Sequence, residues 1–244
     1  MNEQRLSVTN ALIIISVVVF FVGLMVQKEA LLNVSFPQAP KTSIFEILCS
    51  YSWFTCFLKG ELWRMITYQF VHANLMHLFF NMWALYFFGP AVESIMGPRR
   101  YLAFYLVCGV AGALFSSLLA ALGIYTSMLD VPQSEIICNE IAAFAGYEGH
   151  VSCWEMIPLV GASASIYGVM VACAFMYPDV RISLIFPPVT LRLRTFAIIV
   201  IALATATILF NFSNAGGEAG HLGGIIMGAI IMLIWKYRIL HRRY

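Results

Sequence analysis

The stretch Gly161-Ala162-Ser163-Ala164-Ser165-Ile166-Tyr167-Gly168 opens an apolar run that continues from Val169 to Tyr177. All but Ile166 and Tyr167 are small. Ser163 has an alanine on each side and a glycine two positions earlier, so its hydroxyl can be approached closely. Tyr167, four positions on, shares its helix face. A serine at membrane depth is ordinarily a packing or hydrogen-bonding residue. The rest of the chain decides whether it is more.

Outward from this stretch, the chain is greasy throughout. Of 244 residues, 61% are hydrophobic and 11% charged, where a soluble domain carries about 25% charged residues. The mean hydropathy is +0.85. These values exclude an ordinary soluble enzyme and predict an all-α polytopic membrane protein. No nucleic-acid partner is expected; the bilayer itself is. The first apolar run lacks a small-residue cleavage pattern and reads as a retained span.

Six runs approach the roughly 20 apolar residues a crossing needs. They lie at about 10–26, 75–95, 101–124, 163–177, 195–210 and 219–240, within one six-span domain covering 1–244. Backbone groups in hydrocarbon must bond internally, so all six read as helices. Residues 27–68 differ: Pro37, Pro40, the aromatic run from Phe45 to Phe57 and Trp63-Arg64 predict a structured connector lying at the interface.

Charge predicts orientation. The connector Tyr125 to Glu155 holds Asp130, Glu135, Glu140, Glu148 and Glu155 without a Lys or Arg. Arg99, Arg100, Arg181, Arg192, Arg194, Lys236, Arg238, Arg242 and Arg243 cluster on the other side. Positive loops stay inside, which puts both termini in the cytoplasm. In an outward-facing connector, Cys138 and Cys153 are the favoured disulfide pair; Cys108 and Cys173 read as core residues.

Ionisable and amide side chains inside spans are expensive and usually functional. His77 and Asn81, four apart, share a face at the outer end of the second span. A metal site there would want a further ligand on that face, so neither metal nor cofactor is expected. At the start of the sixth span, Gly216, Gly220, Gly224 and Gly228 recur every four residues. That ladder admits a close neighbour, and the small residues around Ser163 are its natural partner. His221 lies beside the ladder. Ser163, His221, His77 and Asn81 thus come from three spans at similar depth. Serine and histidine are the minimum for nucleophilic acyl transfer. His77 and Asn81 supply donors for an oxyanion, and Tyr167 can stack on His221.

With Trp63-Arg64, His72/His77/Asn81, Glu93-xxx-Gly97 with Arg100, Gly161-x-Ser163 with Tyr167, and His221 with Gly224, the chain resembles the rhomboid family of intramembrane serine proteases. The resemblance runs from Trp63 to the last span. It implies Ser163 as nucleophile, His221 as general base, and an oxyanion hole of His77, Asn81 and the Ser163 N–H. It places His72 at the outer rim, with Gly161, Tyr167 and Gly224 in support. It also implies substrates that are single-span membrane proteins, cut near the outer face where the helix unwinds. The compact six-span form points to a bacterial inner membrane. Ala164 departs from the family, which most often has glycine there. Glu218 can reach the His221 imidazole from three residues away, but reads more simply as a solvated helix-cap residue. The glycine-rich stretch Asn211 to Gly217 is expected to form a loop over the site, and the Ala/Thr-rich fifth span to pack loosely as a lateral entry. A catalytically inactive relative that binds transmembrane segments is the second reading. A small transporter is the third, disfavoured because the chain shows no paired halves with broken helices.

Overall fold

The computed structural model describes residues 6–25, 27–28, 42–125, 134–184, 188–212 and 214–241. Pro37, Pro40, Asp130, Arg242 and Arg243, named above, lie outside them, as does residue 26 at the end of the first expected span.

Six apolar helices occupy the six expected places. They are α1 (Val8–Met25), α4 (Leu75–Met96), α5 (Pro98–Ala121), α7 (Ser163–Met176), α8 (Leu193–Leu209) and α9 (Ala215–His241). Among the described residues, α1, α4, α5 and the part of α9 from Ala215 to Lys236 are long and apolar enough to cross a membrane; α7 and α8 are shorter apolar helices. Successive helices alternate in direction, so α4, α7 and α9 all begin at one end of the bundle. The ends differ from expectation where local chemistry intervenes. Gly97, at φ +76°, closes α4 by giving its N–H to the Glu93 carbonyl at 2.8 Å. Pro98 then opens α5, since a first-turn residue needs no N–H partner. Helix α9 starts at Ala215, four residues earlier than expected.

The connector between α1 and α4 is structured where it is described. A two-residue pairing of β1 (Gln27–Lys28) with β2 (Thr42–Ser43) leads into α2 (Ile44–Cys49). A π-helical turn (Phe54–Leu58), α3 (Arg64–Thr67) and a 3₁₀ turn (Tyr68–Phe70) follow. Tyr51 and Tyr68 anchor it to α5 by hydrogen bonds to Ser117 Oγ (2.9 Å) and the Gly109 carbonyl (2.7 Å). Helix α6 (Ser134–Phe144) and a 3₁₀ turn (Cys153–Met156) cover the same end, joined by the Cys138–Cys153 disulfide. At the opposite end, β3 (Arg181–Leu184) and β4 (Val189–Arg192) pair antiparallel, an addition to the all-helical expectation.

The bundle closes on small residues. A Cβ on Gly224 would run into the Ala164 carbonyl of α7, and one on Gly228 would lie 2.9 Å from the Gly168 backbone. Gly223 faces α5 instead, where a Cβ would meet the Ala111 carbonyl at 2.8 Å. The glycines of α9 therefore admit two helices, α7 and α5, rather than α7 alone.

Candidate active site

Helix α7 begins at Ser163 itself, after Ala162 and with no side-chain cap. Ser163 thus sits at a helix N-terminus, where the first N–H groups have no intrahelical acceptor and the helix dipole favours negative charge. The segment leading to it is held at two points. Leu159 pairs with Tyr51 through two backbone bonds of 2.7 and 3.0 Å, and the Gly161 N–H donates to the Tyr68 carbonyl at 3.0 Å. Arg64, buried in the connector, ties the Ser50 carbonyl at 2.9 Å and the Glu61 carboxylate, so it braces the segment on which Leu159 rests.

Because Gly224 lets α9 meet α7 backbone to backbone, His221 comes to rest over Ser163. Its Nε2 lies 2.8 Å from Ser163 Oγ. The Tyr167 ring stacks on the imidazole with centroids 4.1 Å apart and planes 10° apart. The Nδ1 edge faces Glu218, whose Oε2 is 2.9 Å away. This revises the reading of Glu218 as a solvated cap. The earlier start of α9 puts it in the helix's first turn, where i, i+3 spacing turns its carboxylate onto the ring, and its side chain is 21% exposed.

His77 and Asn81 lie one turn apart on α4 beside Gly161. Asn74 caps that helix by accepting the His77 N–H at 2.8 Å. Gly161 has φ +116°, and a Cβ there would fall 2.7 Å from the His77 ring. Only glycine leaves room for the imidazole at that conformation. Asn81 is buried, and its Nδ2 has no hydrogen-bond partner among the described residues. A buried amide without a partner is costly unless something else supplies an acceptor.

Ser163, His221, Tyr167, His77 and Asn81 line one cavity of about 1100 Å³. Its walls include Phe80, Ala84 and Phe88 of α4 and Phe196 and Val200 of α8. Helix α8 packs on α9 and α7, and meets α4 where Phe88 stacks on Phe196 at 6.4 Å. Asn211, Phe212 and Asn214 contribute to the cavity lining, but Ala215 onwards is helical, so the expected loop is shorter than Asn211 to Gly217.

His72 is not at the rim. It is buried behind His77, their rings edge to face at 5.2 Å, and it borders a separate cavity of about 350 Å³ beside α1. Burial, with His77 as a second cause, pushes its pKa down from 6.5 to about 3. Two further polar residues brace the helices: Ser165, which the sequence reading did not single out, and Glu93 of the Glu93-xxx-Gly97 motif. Ser165 donates to Gln69 Oε1 at 2.9 Å, linking α7 to the connector; Gly109 makes space for that glutamine. Glu93 accepts the Val8 and Thr9 N–H groups at 2.7 and 2.9 Å, capping α1 from α4. The sequence signal for the second was a lone carboxylate inside an apolar span.

The Rhomboid domain profile matches residues 59–238, most of the chain and every residue of this site. The chain belongs to the rhomboid family. It is 27% identical over 180 residues to the rhomboid protease AarA of Providencia stuartii, covering 73% of this rhomboid and 57% of that protein. It is likewise 27% identical over 180 residues to the mitochondrial presenilin-associated rhomboid-like protein of Homo sapiens, covering 71% and 39%. A shorter match, 35% over 79 residues, is to the inactive RHOMBOID-like protein 8 of Arabidopsis thaliana, covering 32% and 22%. The chain thus spans less than two thirds of the length of each of these relatives. With its apolar helices, this rhomboid is a multi-pass integral membrane protein.

Proposed function

We propose that this rhomboid is an active intramembrane serine endopeptidase that cuts single-span membrane proteins in or near their transmembrane segments. The observation that carries the reading is the 2.8 Å approach of His221 Nε2 to Ser163 Oγ, made across two helices inside a roomy cavity. In the proposed reaction Nε2 takes the hydroxyl proton as Oγ attacks the substrate carbonyl carbon. The resulting oxyanion is met by Asn81 Nδ2, the His77 ring and the Ser163 N–H. The protonated imidazole then returns its proton to the leaving amine, and water hydrolyses the acyl-enzyme by the same steps. The unpartnered Asn81 amide supports this, since it has an acceptor to gain as the oxyanion forms.

The remaining features follow the same reading. All six apolar helices cross the bilayer, the short α7 buried among its neighbours and α8 on the outside. The acidic connector side faces outward and both termini face the cytoplasm, as in a bacterial inner membrane. The cavity opens to external water at the end where α4, α7 and α9 begin. A substrate helix enters between α4 and α8.

The test is cleavage of a reconstituted single-span substrate, with fluorophosphonate labelling alongside. Wild type should cleave and label at Ser163; Ser163→Ala should do neither, and His221→Ala should lose labelling. A wild-type protein that binds the substrate but neither cuts it nor labels would replace this reading with that of an inactive binder of transmembrane segments.

A further inference from the structure

The described Lys and Arg residues make no ion pair with Glu218; the cation-forming group it meets is His221. We infer that Glu218 is the orienting carboxylate of the base, extending the Ser163–His221 pair to a triad. This deepens the serine-protease reading and rests on it.

The chemistry follows from the two edges of one ring. A neutral imidazole carries its hydrogen on one nitrogen and a lone pair on the other, and its neighbours choose which. A carboxylate can only accept. At 2.9 Å from Nδ1, Glu218 Oε2 therefore holds the hydrogen on Nδ1 and leaves the lone pair on Nε2. That is the nitrogen 2.8 Å from the Ser163 hydroxyl, where a lone pair is needed to accept a proton. When the proton arrives, the imidazolium has a negative group already against its far edge. Tyr167, stacked on the face of the ring, blocks tilting but cannot select the hydrogen's position. Orientation by stacking and tautomer selection by carboxylate are thus separate tasks done by separate residues. Glu218 acts through the His221 ring, so it is a positioning residue.

Its backbone role is distinct from this. The Glu218 N–H donates to the Asn214 carbonyl at 3.0 Å, a bond that survives any side-chain change. Glu218→Gln keeps size and helix but can turn an NH₂ toward Nδ1, which favours the opposite tautomer. Where an orienting aspartate is fully buried, that exchange costs about 10⁴ in kcat. The Glu218 side chain is 21% exposed, so a smaller loss, on the order of 10–10², is expected.

The experiment uses the full chain reconstituted in liposomes with a single-span substrate, and compares wild type, Glu218→Gln and Glu218→Asp. Glu218→Gln should lower kcat and the rate of fluorophosphonate labelling together, with KM and thermal midpoint unchanged. Glu218→Asp, which keeps the charge, should recover part of both rates. Wild-type rates in Glu218→Gln overturn the inference and return Glu218 to a helix cap. A loss of thermal midpoint matching the loss of rate, without recovery in Glu218→Asp, also overturns it, by making the role structural. A wild type that neither cuts nor labels removes the protease reading and this inference with it.

Discussion

The five histidines of this rhomboid include two that touch each other yet do opposite things. His77 borders the cavity, and His72 lies buried behind it. Burial holds His72 neutral, its pKa falling from 6.5 to about 3. The sign of the pH effect follows. Below pH 6.5 an unfolded chain takes up a proton on this residue, while the folded chain refuses it until about pH 3. The cost to folding is therefore absent above 6.5 and grows as pH falls, by up to about 1.4 kcal/mol per pH unit. Thermal unfolding in detergent from pH 7 to pH 4 should show this slope, and His72→Phe should flatten it. An equal slope in both proteins would show that His72 is not the group responsible. The polar residues gathered at the cavity were largely legible beforehand, because polar side chains in apolar spans stand out. The contact of Glu218 with His221 was harder to foresee, because its spacing fits a helix cap and a ring partner equally well.

At the scale of elements, the site is a product of how closely α7 and α9 approach. Ser163 and His221 are 58 residues apart in sequence, and the contact between them depends on Gly224 lying against the Ala164 carbonyl. Gly224→Ala puts a methyl group where that carbonyl sits, so the helices must part. Overpacking of this kind typically costs about 1–3 kcal/mol. The expected outcome is a helical, folded protein with cleavage reduced at least ten-fold, read by circular dichroism beside a substrate assay. Undiminished cleavage would mean that the seam can yield without moving His221. The four-residue glycine period made a close seam predictable, and did not reveal that α5 shares it: a period names a face, and the width of that face depends on the neighbours. The β3–β4 pairing was missed for a related reason. Its alternation, Ile182-Ser183-Leu184 against Val189-Thr190-Leu191, is too short to stand out between two apolar helices.

At the scale of the whole molecule, the cavity is walled on one side by α4 and α8, where the proposed entry lies. A bis-maleimide bridge between cysteines placed at Phe88 and Phe196, whose rings are 6.4 Å apart, should close that wall. Cleavage of a membrane-embedded substrate should fall at least ten-fold, while a small fluorophosphonate still labels Ser163 at the wild-type rate. Unchanged cleavage would send the substrate by another route. The six-helix layout could be read from hydropathy alone, whereas the connector's path could not, because its bracing runs through backbone carbonyls such as those of Ser50 and Leu159. One dimension then acquires a meaning of its own. Helix α7 has 14 residues, or about 21 Å, against a hydrocarbon layer of about 30 Å. Its serine stands at one tip, so on the proposed reading that hydroxyl is the end stop of a ruler, and the bond broken would be picked by immersion depth as much as by the letters flanking it.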